Sequence, residues 1–247
     1  MFVAASTRCF ADHDVVDACR LIADLEYDKV EFWLDESSEH LKPSTLVGQP
    51  ETFITHFHDA VRLTPVAIHL EHDVDLETFT SLVRFCKRLR ITQFTVPASP
   101  LGTPFNAEID RLRDFLRTAG QEGIRVSIKT KTGDLTEDIH TAVELCQAVK
   151  GLGLTLDPSY YICGSHRNAP LEIAYPYVYH VHLRDTSEDA IQVPTGLGEV
   201  DYTRLIGQLR RHDYHRILSV DLFPDQLAGT DRALEMRKLR MLLETLL

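Results

Sequence analysis

The chain repeats one pattern from end to end: a short stretch of alternating apolar residues, followed by a longer amphipathic segment. Short apolar alternation predicts a β-strand, and the longer segments have the periodicity of helices. Eight strands are predicted, near residues 2–7, 28–34, 65–70, 92–97, 125–130, 152–157, 178–183 and 216–222. Because strands alternate with helices and no linker or compositional break interrupts them, we expect one α/β domain over residues 1–247, a single (β/α)8 TIM barrel.

The helical segments carry signals of their own. DHDVVDACRLIADLE follows the first strand, and DLETFTSLVRFCKRL follows the third. Each opens with an Asp, whose carboxylate is suited to capping the free N–H groups of a first helical turn. GTDRALEMRKLRMLLETL closes the chain. We expect helices to fill the remaining gaps between strands as well.

Composition excludes several classes of protein. With 44% hydrophobic residues in a chain of 247, a substantial core can form. No apolar run approaches the roughly 20 residues that cross a bilayer, and MFVAASTRCF lacks a basic leader, so we expect a cytoplasmic protein with no membrane partner. Five scattered cysteines without a CxxC pair indicate neither a disulfide framework nor a cysteine zinc site. A formal net charge of −11 argues against nucleic acid as a partner.

Alternation also predicts which side chains point into the barrel. In IRVSIKTKTGD, Val126 and Ile128 face the helices, which turns Ser127 and Lys129 inward. On other strands the same alternation turns inward a mainly titratable set: Glu31, Trp33, His69, Asp157, His180, His182 and Asp221. Each of these alone could be a hydrogen-bonded structural group. Because the C-terminal ends of barrel strands meet at one mouth, their convergence favours a functional site there.

Several motifs at these strand ends resemble a known family. They are DKVEFWLDE, LTLDPSYY, HVHLRDT and PTGLGEVDYTRLIGQLRRHDYHRILSVDLFP. The chain is similar to the xylose isomerase-like TIM barrels, which include sugar and sugar phosphate isomerases and epimerases and the type four endonucleases. The resemblance implies a divalent metal held by Glu, Asp, His and Glu at the ends of strands 5 to 8. Those positions are Lys129, Asp157, His182 and Asp221 here.

Lys129 departs from this pattern. A protonated ammonium has no lone pair for a metal and repels one nearby. Only Asp157, His182 and Asp221 remain as candidate metal ligands, so we expect a weak or absent metal site, and no nucleotide cofactor is expected. The four residues are also the predicted catalytic set. Lys129 could neutralise the two carboxylates in a structural ion pair, polarise a substrate oxygen in place of the metal, or act as a base or Schiff-base amine.

Substrate contacts are predicted for Glu31, His69, Tyr160, His180 and Arg184. Tyr160 replaces the His of a common family motif, DPSH. Arg184 could meet an anionic substrate or pair with Asp185. The segment PTGLGEVD, residues 194–201, lies after strand 7, where barrels often bind phosphate through backbone N–H groups. It could equally be a turn that leads to Asp201 as a helix cap.

Two classes of function follow from the resemblance. The first is an isomerase or epimerase that acts on a small sugar, sugar phosphate or polyol at the barrel mouth, with an altered metal site. The second is a noncatalytic descendant that keeps a ligand pocket. Lys129 separates the two, because it damages the family's mechanism without removing the polar site. The net charge disfavours a nuclease.

Overall fold

The computed structural model describes residues 1–167, 169–226 and 229–247. Its centre is a closed barrel in which eight parallel strands pair in sequence order. The strands are β1 (Phe2–Ser6), β2 (Lys29–Leu34), β3 (Thr64–Leu70), β4 (Gln93–Val96), β5 (Arg125–Lys129), β6 (Gly153–Leu156), β7 (Val178–Leu183) and β8 (Ile217–Val220). The predicted barrel is confirmed, and each strand lies close to its predicted bounds.

The barrel closes where the first and last strands pair. Ala5 of β1 lies opposite Val220 of β8. Beyond the strand ends, the Cys9 thiol donates to the carbonyl of Val220 at 3.4 Å and accepts from the backbone N–H of Leu222 at 3.2 Å. Closure leaves no free edge in the sheet, and it fixes the C-terminal ends of all eight strands around one opening.

Helices surround the barrel. They are α1 (Val15–Asp24), α2 (Pro43–Gly48), α3 (Pro50–Ala60), α4 (Leu76–Leu89), α5 (Phe105–Gln121), α6 (Ile139–Ala148), α7 (Ser159–Ile162), α8 (Tyr202–Arg211) and α9 (Arg232–Leu246). Asp75 caps α4 as predicted, but α1 is capped by Asp14 rather than by the first Asp of its segment. Asp12 instead pairs with Arg232, at the start of the last helix. Among the described residues, no helix is both long and apolar enough to span a membrane.

The connection between β6 and β7 differs from the expected full helix. Its described part contains only the one-turn helix α7 and two short 3-10 turns, Leu171–Ile173 and Tyr175–Tyr177. Pro158, Pro170 and Pro176 interrupt the segment, and proline removes a helical N–H donor and clashes with the preceding turn. The prediction of a full helix after strand 6 was therefore wrong.

The barrel interior has two polar layers. In the lower layer, Thr155 Oγ1 lies 2.8 Å from Thr95 Oγ1 and 2.6 Å from Ser127 Oγ, and Gln93 Nε2 donates to Ser127 at 2.7 Å. These groups are buried and uncharged. The charged layer lies above them, at the strand ends. The predicted inward side chains therefore do share an interior, with neutral groups beneath the titratable ones.

Candidate active site at the barrel mouth

Lys129 is the centre of the charged layer. Its Nζ lies 3.1 Å from Asp157 Oδ2 and 3.3 Å from Asp221 Oδ2, and it contacts His182 Nδ1. All four side chains are buried. The geometric prediction that these residues converge, with the ammonium beside at least one carboxylate, is confirmed. Their catalytic roles stay predictions.

Arg184 brings a second cation to the same carboxylates. Its Nη2 donates to Asp157 Oδ2 at 2.7 Å and to Asp221 Oδ2 at 3.1 Å, and its Nε donates to the carbonyl of Asp221 at 3.0 Å. The side chain is fully buried, and its guanidinium carbon lies over the Phe223 ring, 3.8 Å from the ring centroid. The alternative pairing of Arg184 with Asp185 was therefore wrong.

Glu31 joins the charged layer from below. One carboxylate oxygen accepts from His182 Nε2 at 2.9 Å, and the other lies 3.1 Å from His180 Nε2. Glu31 and His180 thus lie one step deeper than the strand-end cluster, and they orient His182 rather than reaching the opening. His182 has Glu31 on one ring nitrogen and faces Lys129 and Asp221 with the other.

The charges of this cluster stabilise one another. Burial, the largest effect, would raise the pKa of Asp157 and of Asp221, but the cations Arg184 and Lys129 hold the pKa of Asp157 below its usual range, and Lys129 and His182 hold that of Asp221 well below it. Burial would lower the pKa of His182, but Glu31 raises it despite the opposing charge of Lys129. Three carboxylates are thus balanced by Lys129, Arg184 and, when protonated, His182.

His69 and Tyr160 lie at the opening itself, and their substrate contacts stay predictions. The ring of His69 lies 4.8 Å from that of His182, and burial lowers the pKa of His69 well below its usual value. Tyr160 and Lys129 line a cavity of about 10 Å³ together with His69. That volume is about enough for one water molecule, so the mouth is closed in this conformation.

Four side chains, which we call the Glu71 bridge, cover the mouth: Arg8, Trp33, Glu71 and Lys131. Glu71 Oε2 accepts from Arg8 Nη1 at 3.0 Å and from Trp33 Nε1 at 3.0 Å, while its Oε1 accepts from Lys131 Nζ at 3.0 Å. Of these, only Trp33 was predicted to point inward. The other three follow β1, β3 and β5 in the chain, just beyond the ends of the predicted strands.

In the loop after β7, the carboxylate of Asp185 accepts hydrogen bonds from the backbone amides of the loop itself. Asp185 Oδ2 accepts from the amides of Gly196 at 2.7 Å and Gly198 at 3.1 Å, and Oδ1 accepts from that of Thr186 at 3.1 Å. A Cβ on Gly198 would lie 2.1 Å from Asp185 Oδ1, so the cradle fits closely. Asp201 caps α8 through the Arg204 amide at 2.9 Å. The geometry agrees with the turn interpretation, because the amides considered for phosphate already hold a carboxylate.

A divalent metal of the kind that the family resemblance implies does not fit these residues. The three candidate ligands Asp157, His182 and Asp221 all face the Lys129 ammonium at contact distance, and Arg184 holds the same two carboxylates. A dication there would lie against two buried monocations. Two further groups of possible ligands lie among the described residues. Glu31, His180 and His182 are closed by their own hydrogen bonds, and in the group of His69, His182 and Asp221 the last two face Lys129.

The chain belongs to the xylose isomerase-like TIM barrel family, whose profile matches residues 19–244. Among solved structures, it is similar to a xylose isomerase-like TIM barrel protein from Mycobacterium smegmatis in complex with magnesium, with a TM-score of 0.77, 16% identity and coverage of 99% of this chain and 97% of that one.

Two further structures share the fold. The probable 3-DHS dehydratase AsbF from Bacillus anthracis has a TM-score of 0.74 at 16% identity, with 99% of each chain covered. The D-allulose 3-epimerase from Methylomonas sp. has a TM-score of 0.74 at 12% identity, covering 100% of this chain and 98% of that one. A search of curated proteins finds no match.

Proposed function

We propose that this protein is a metal-independent member of its family that binds a small polyhydroxylated, sugar-like substrate at the barrel mouth and isomerises or epimerises it. One observation carries the proposal: the Lys129 ammonium lies against the three side chains, Asp157, His182 and Asp221, that stand at the family's metal-binding positions. The chain thus supplies its own cation at the place where the resemblance implies a metal.

The two fixed cations can do part of the work of a metal. An ammonium and a guanidinium aimed at a substrate carbonyl stabilise the negative charge that develops on oxygen when a neighbouring carbon loses its proton. Two carboxylates already engage the Lys129 nitrogen, which favours this electrostatic role over Schiff-base chemistry.

Asp221 is the group in the cluster that can accept the proton from carbon. Its Oδ1 has no hydrogen-bond partner among the described residues, whereas both oxygens of Asp157 are engaged, by the amide of Ser159 and by Arg184. In an isomerisation, Asp221 returns the proton to the adjacent carbon, while a proton passes from the hydroxyl oxygen to the former carbonyl oxygen. In an epimerisation, Asp221 keeps the proton it has taken, and water protonates the same carbon from the opposite face. The low pKa of Asp221 makes it a weak base, so we expect slow turnover.

The same low pKa favours the second candidate function, a noncatalytic ligand-binding protein. Cations neutralise both carboxylates of the cluster, as in a structural ion-pair network. In either case the Glu71 bridge has to open for a ligand. Its charged side chains are partly exposed, 19% for Arg8 and 33% for Lys131, so they can move without disrupting the core.

Solvent hydrogen exchange distinguishes the two functions. Protein treated with EDTA is incubated in D2O with a panel of aldoses and ketoses, and loss of carbon-bound protons is followed by proton NMR. The proposal predicts exchange without added metal, and loss of exchange in Lys129→Met, a neutral variant of similar length. Ligand binding without exchange supports the noncatalytic function. Exchange that requires added Mn²⁺ would show that the mechanism depends on a metal after all.

A further inference from the structure

The Glu71 carboxylate is held over the mouth by three donors that converge on it. Arg8 and Trp33 bind one oxygen and Lys131 binds the other, each at 3.0 Å. Burial would raise the pKa of Glu71, but Arg8, His69 and Lys131 lower it far below its usual range, which reflects how strongly this position favours an anion. The carboxylate also lines the small cavity above Lys129.

Arg8 keeps its position without Glu71. Its guanidinium carbon lies 4.2 Å from the centroid of the Phe223 ring and 5.2 Å from that of Trp33. Stacking on aromatic faces orients a guanidinium independently of its ion pairs. The donor set would therefore still be in place for another carboxylate if Glu71 turned outward.

Charge favours an acidic ligand. The mouth contains four fixed cations, Arg8, Lys129, Lys131 and Arg184, and, with Glu31 beneath His182, four carboxylates: Glu31, Glu71, Asp157 and Asp221. Moving Glu71 into solvent would leave three carboxylates for four cations. A neutral ligand could not restore this balance, whereas a ligand carboxylate would replace the lost charge directly. Arg184 Nη1, which is buried and has no hydrogen-bond partner among the described residues, adds a free donor.

The loop after β7 points to a carboxylate rather than a phosphate. The amides of Gly196 and Gly198, which could cradle a phosphate, are occupied by Asp185. The occupant that the chain itself places over the mouth is a planar group with two oxygens, and each oxygen has its own donors.

We propose that the substrate or ligand is a sugar acid, a polyol bearing a carboxylate, and that its carboxylate displaces Glu71 and binds between Arg8 and Lys131. This rests on the proposed function only in placing the ligand at the mouth; it is independent of whether catalysis occurs. The hydroxyl-bearing carbons then extend inward toward Lys129 and Asp221.

The test compares D-gluconate with D-glucitol, which share a carbon chain and differ at one end, carboxylate against hydroxymethyl. Trp33 is the single tryptophan of the chain and donates to Glu71, so its fluorescence reports displacement directly. We expect gluconate to bind at least about tenfold more tightly than glucitol, to change the fluorescence of Trp33, and to lose affinity as salt is raised.

Three variants and a control sharpen the test. Glu71→Gln weakens the internal competitor, so gluconate affinity should rise about tenfold, while Arg8→Gln and Lys131→Gln should each remove most of the preference for gluconate. Arg88→Gln, which breaks an exposed pair with Glu51, is the matched control and should change nothing. Circular dichroism establishes that each variant is folded, and if Glu71→Gln is not, the other two variants and the salt dependence still decide.

The outcomes separate this inference from the proposed function. Equal binding of both ligands, or gluconate binding with no change in Trp33 fluorescence, overturns the sugar-acid inference while leaving a neutral sugar as substrate. Preferential gluconate binding without hydrogen exchange in D-glucuronate, a sugar acid that has the aldehyde gluconate lacks, supports the inference and contradicts the isomerase. Failure of both ligands to bind, measured by calorimetry, contradicts both.

Discussion

Two places on the same face of the barrel hold a side chain where related barrels hold, or could hold, a ligand. At the end of β5 the side chain is a cation, Lys129, against Asp157, His182 and Asp221. In the loop after β7 it is an anion, Asp185, against the amides of Thr186, Gly196 and Gly198. In each case the charge has the sign of the ligand that would otherwise bind.

The two sites differ in how completely the polar groups around the charged side chain are hydrogen-bonded. Both oxygens of Asp185 accept from amides that close the loop around it. Around Lys129, by contrast, Asp221 Oδ1 and Arg184 Nη1 are buried without a hydrogen-bond partner among the described residues. Buried polar groups are usually satisfied, so unsatisfied ones at one site indicate a missing ligand or water. The comparison therefore supports a structural role for the loop and the binding role proposed for the mouth.

The largest expected effect is on the mouth. Lys129→Met leaves Asp157 and Asp221 buried with Arg184 as their remaining partner, so the free energy of unfolding should fall by about 3 to 5 kcal/mol. Urea unfolding followed by circular dichroism measures this. Lys87→Met, which removes an exposed pair with Glu122, is the control and should cost no more than about 1 kcal/mol. Similar losses in both variants would mean that the buried cation is no more important than a surface one.

The second-largest expected effect is a gain in metal affinity when the family's glutamate is restored at position 129. Lys129→Glu restores the fourth family ligand and removes the nearest cation, so Mn²⁺ or Zn²⁺ should bind about tenfold to a hundredfold more tightly than to wild type. Titration calorimetry measures the affinities. Lys129→Ala only removes repulsion and should give a smaller gain. If wild type binds metal as tightly as Lys129→Glu, the lysine does not take the metal's place.

The third effect is on the loop. Asp185→Asn keeps the shape of the side chain but removes the charge that two glycine amides share, so the free energy of unfolding should fall by about 1.5 kcal/mol. Asp201→Asn is the matched control at the far end of the same loop, because Asn caps helices about as well as Asp. The structural assignment would be contradicted if Asp185→Asn were neutral, or if wild type bound phosphate in a phosphorus NMR titration.

The smallest effect is a pH dependence at the mouth. The folded-state pKa of His69 is lowered, by burial first and then by the charges of His182 and Lys129, from an ordinary value of 6.5. As pH falls, the unfolded chain therefore takes up a proton at this residue before the folded one does, and stability present above pH 6.5 is lost below it.

Between pH 7 and pH 6 this loss should be about 0.7 kcal/mol, and His69→Gln should remove it from the measured slope. Urea unfolding at several pH values provides the measurement. An unchanged slope in His69→Gln would mean that the buried imidazole does not titrate differently in the two states.

Strand alternation was enough to predict the barrel and the central cluster. A strand has a strict period of two, so Val126 and Ile128 on the outside fix Lys129 on the inside. The same period carries on past the end of β7, since His180, His182 and Arg184 all face the interior. The partners of Arg184 could not be predicted, because alternation gives a side and not a distance.

The Glu71 bridge was missed for a related reason. Glu71 lies two positions beyond His69 and so has the same inward parity, but it stands one residue past the end of β3, where no strand was predicted. The chain bends there, so Glu71 reaches the mouth and meets Arg8 and Lys131 from two other loops. Loop geometry leaves no periodic trace in a sequence. The shortness of the helix between β6 and β7 had a signal, the three prolines, that the general strand–helix repeat outweighed.

Closure of the barrel by β1 and β8 also determines the order in which contacts form during folding. Lys129 and Asp221 are 92 positions apart in the chain, and Glu31 and His182 are 151 apart. Contacts between such distant residues form after most of the chain has collapsed, because closing long loops is entropically slow. We expect Lys129→Met to accelerate unfolding far more than it slows refolding in stopped-flow urea jumps, which makes the charged mouth a determinant of how long the folded protein lasts.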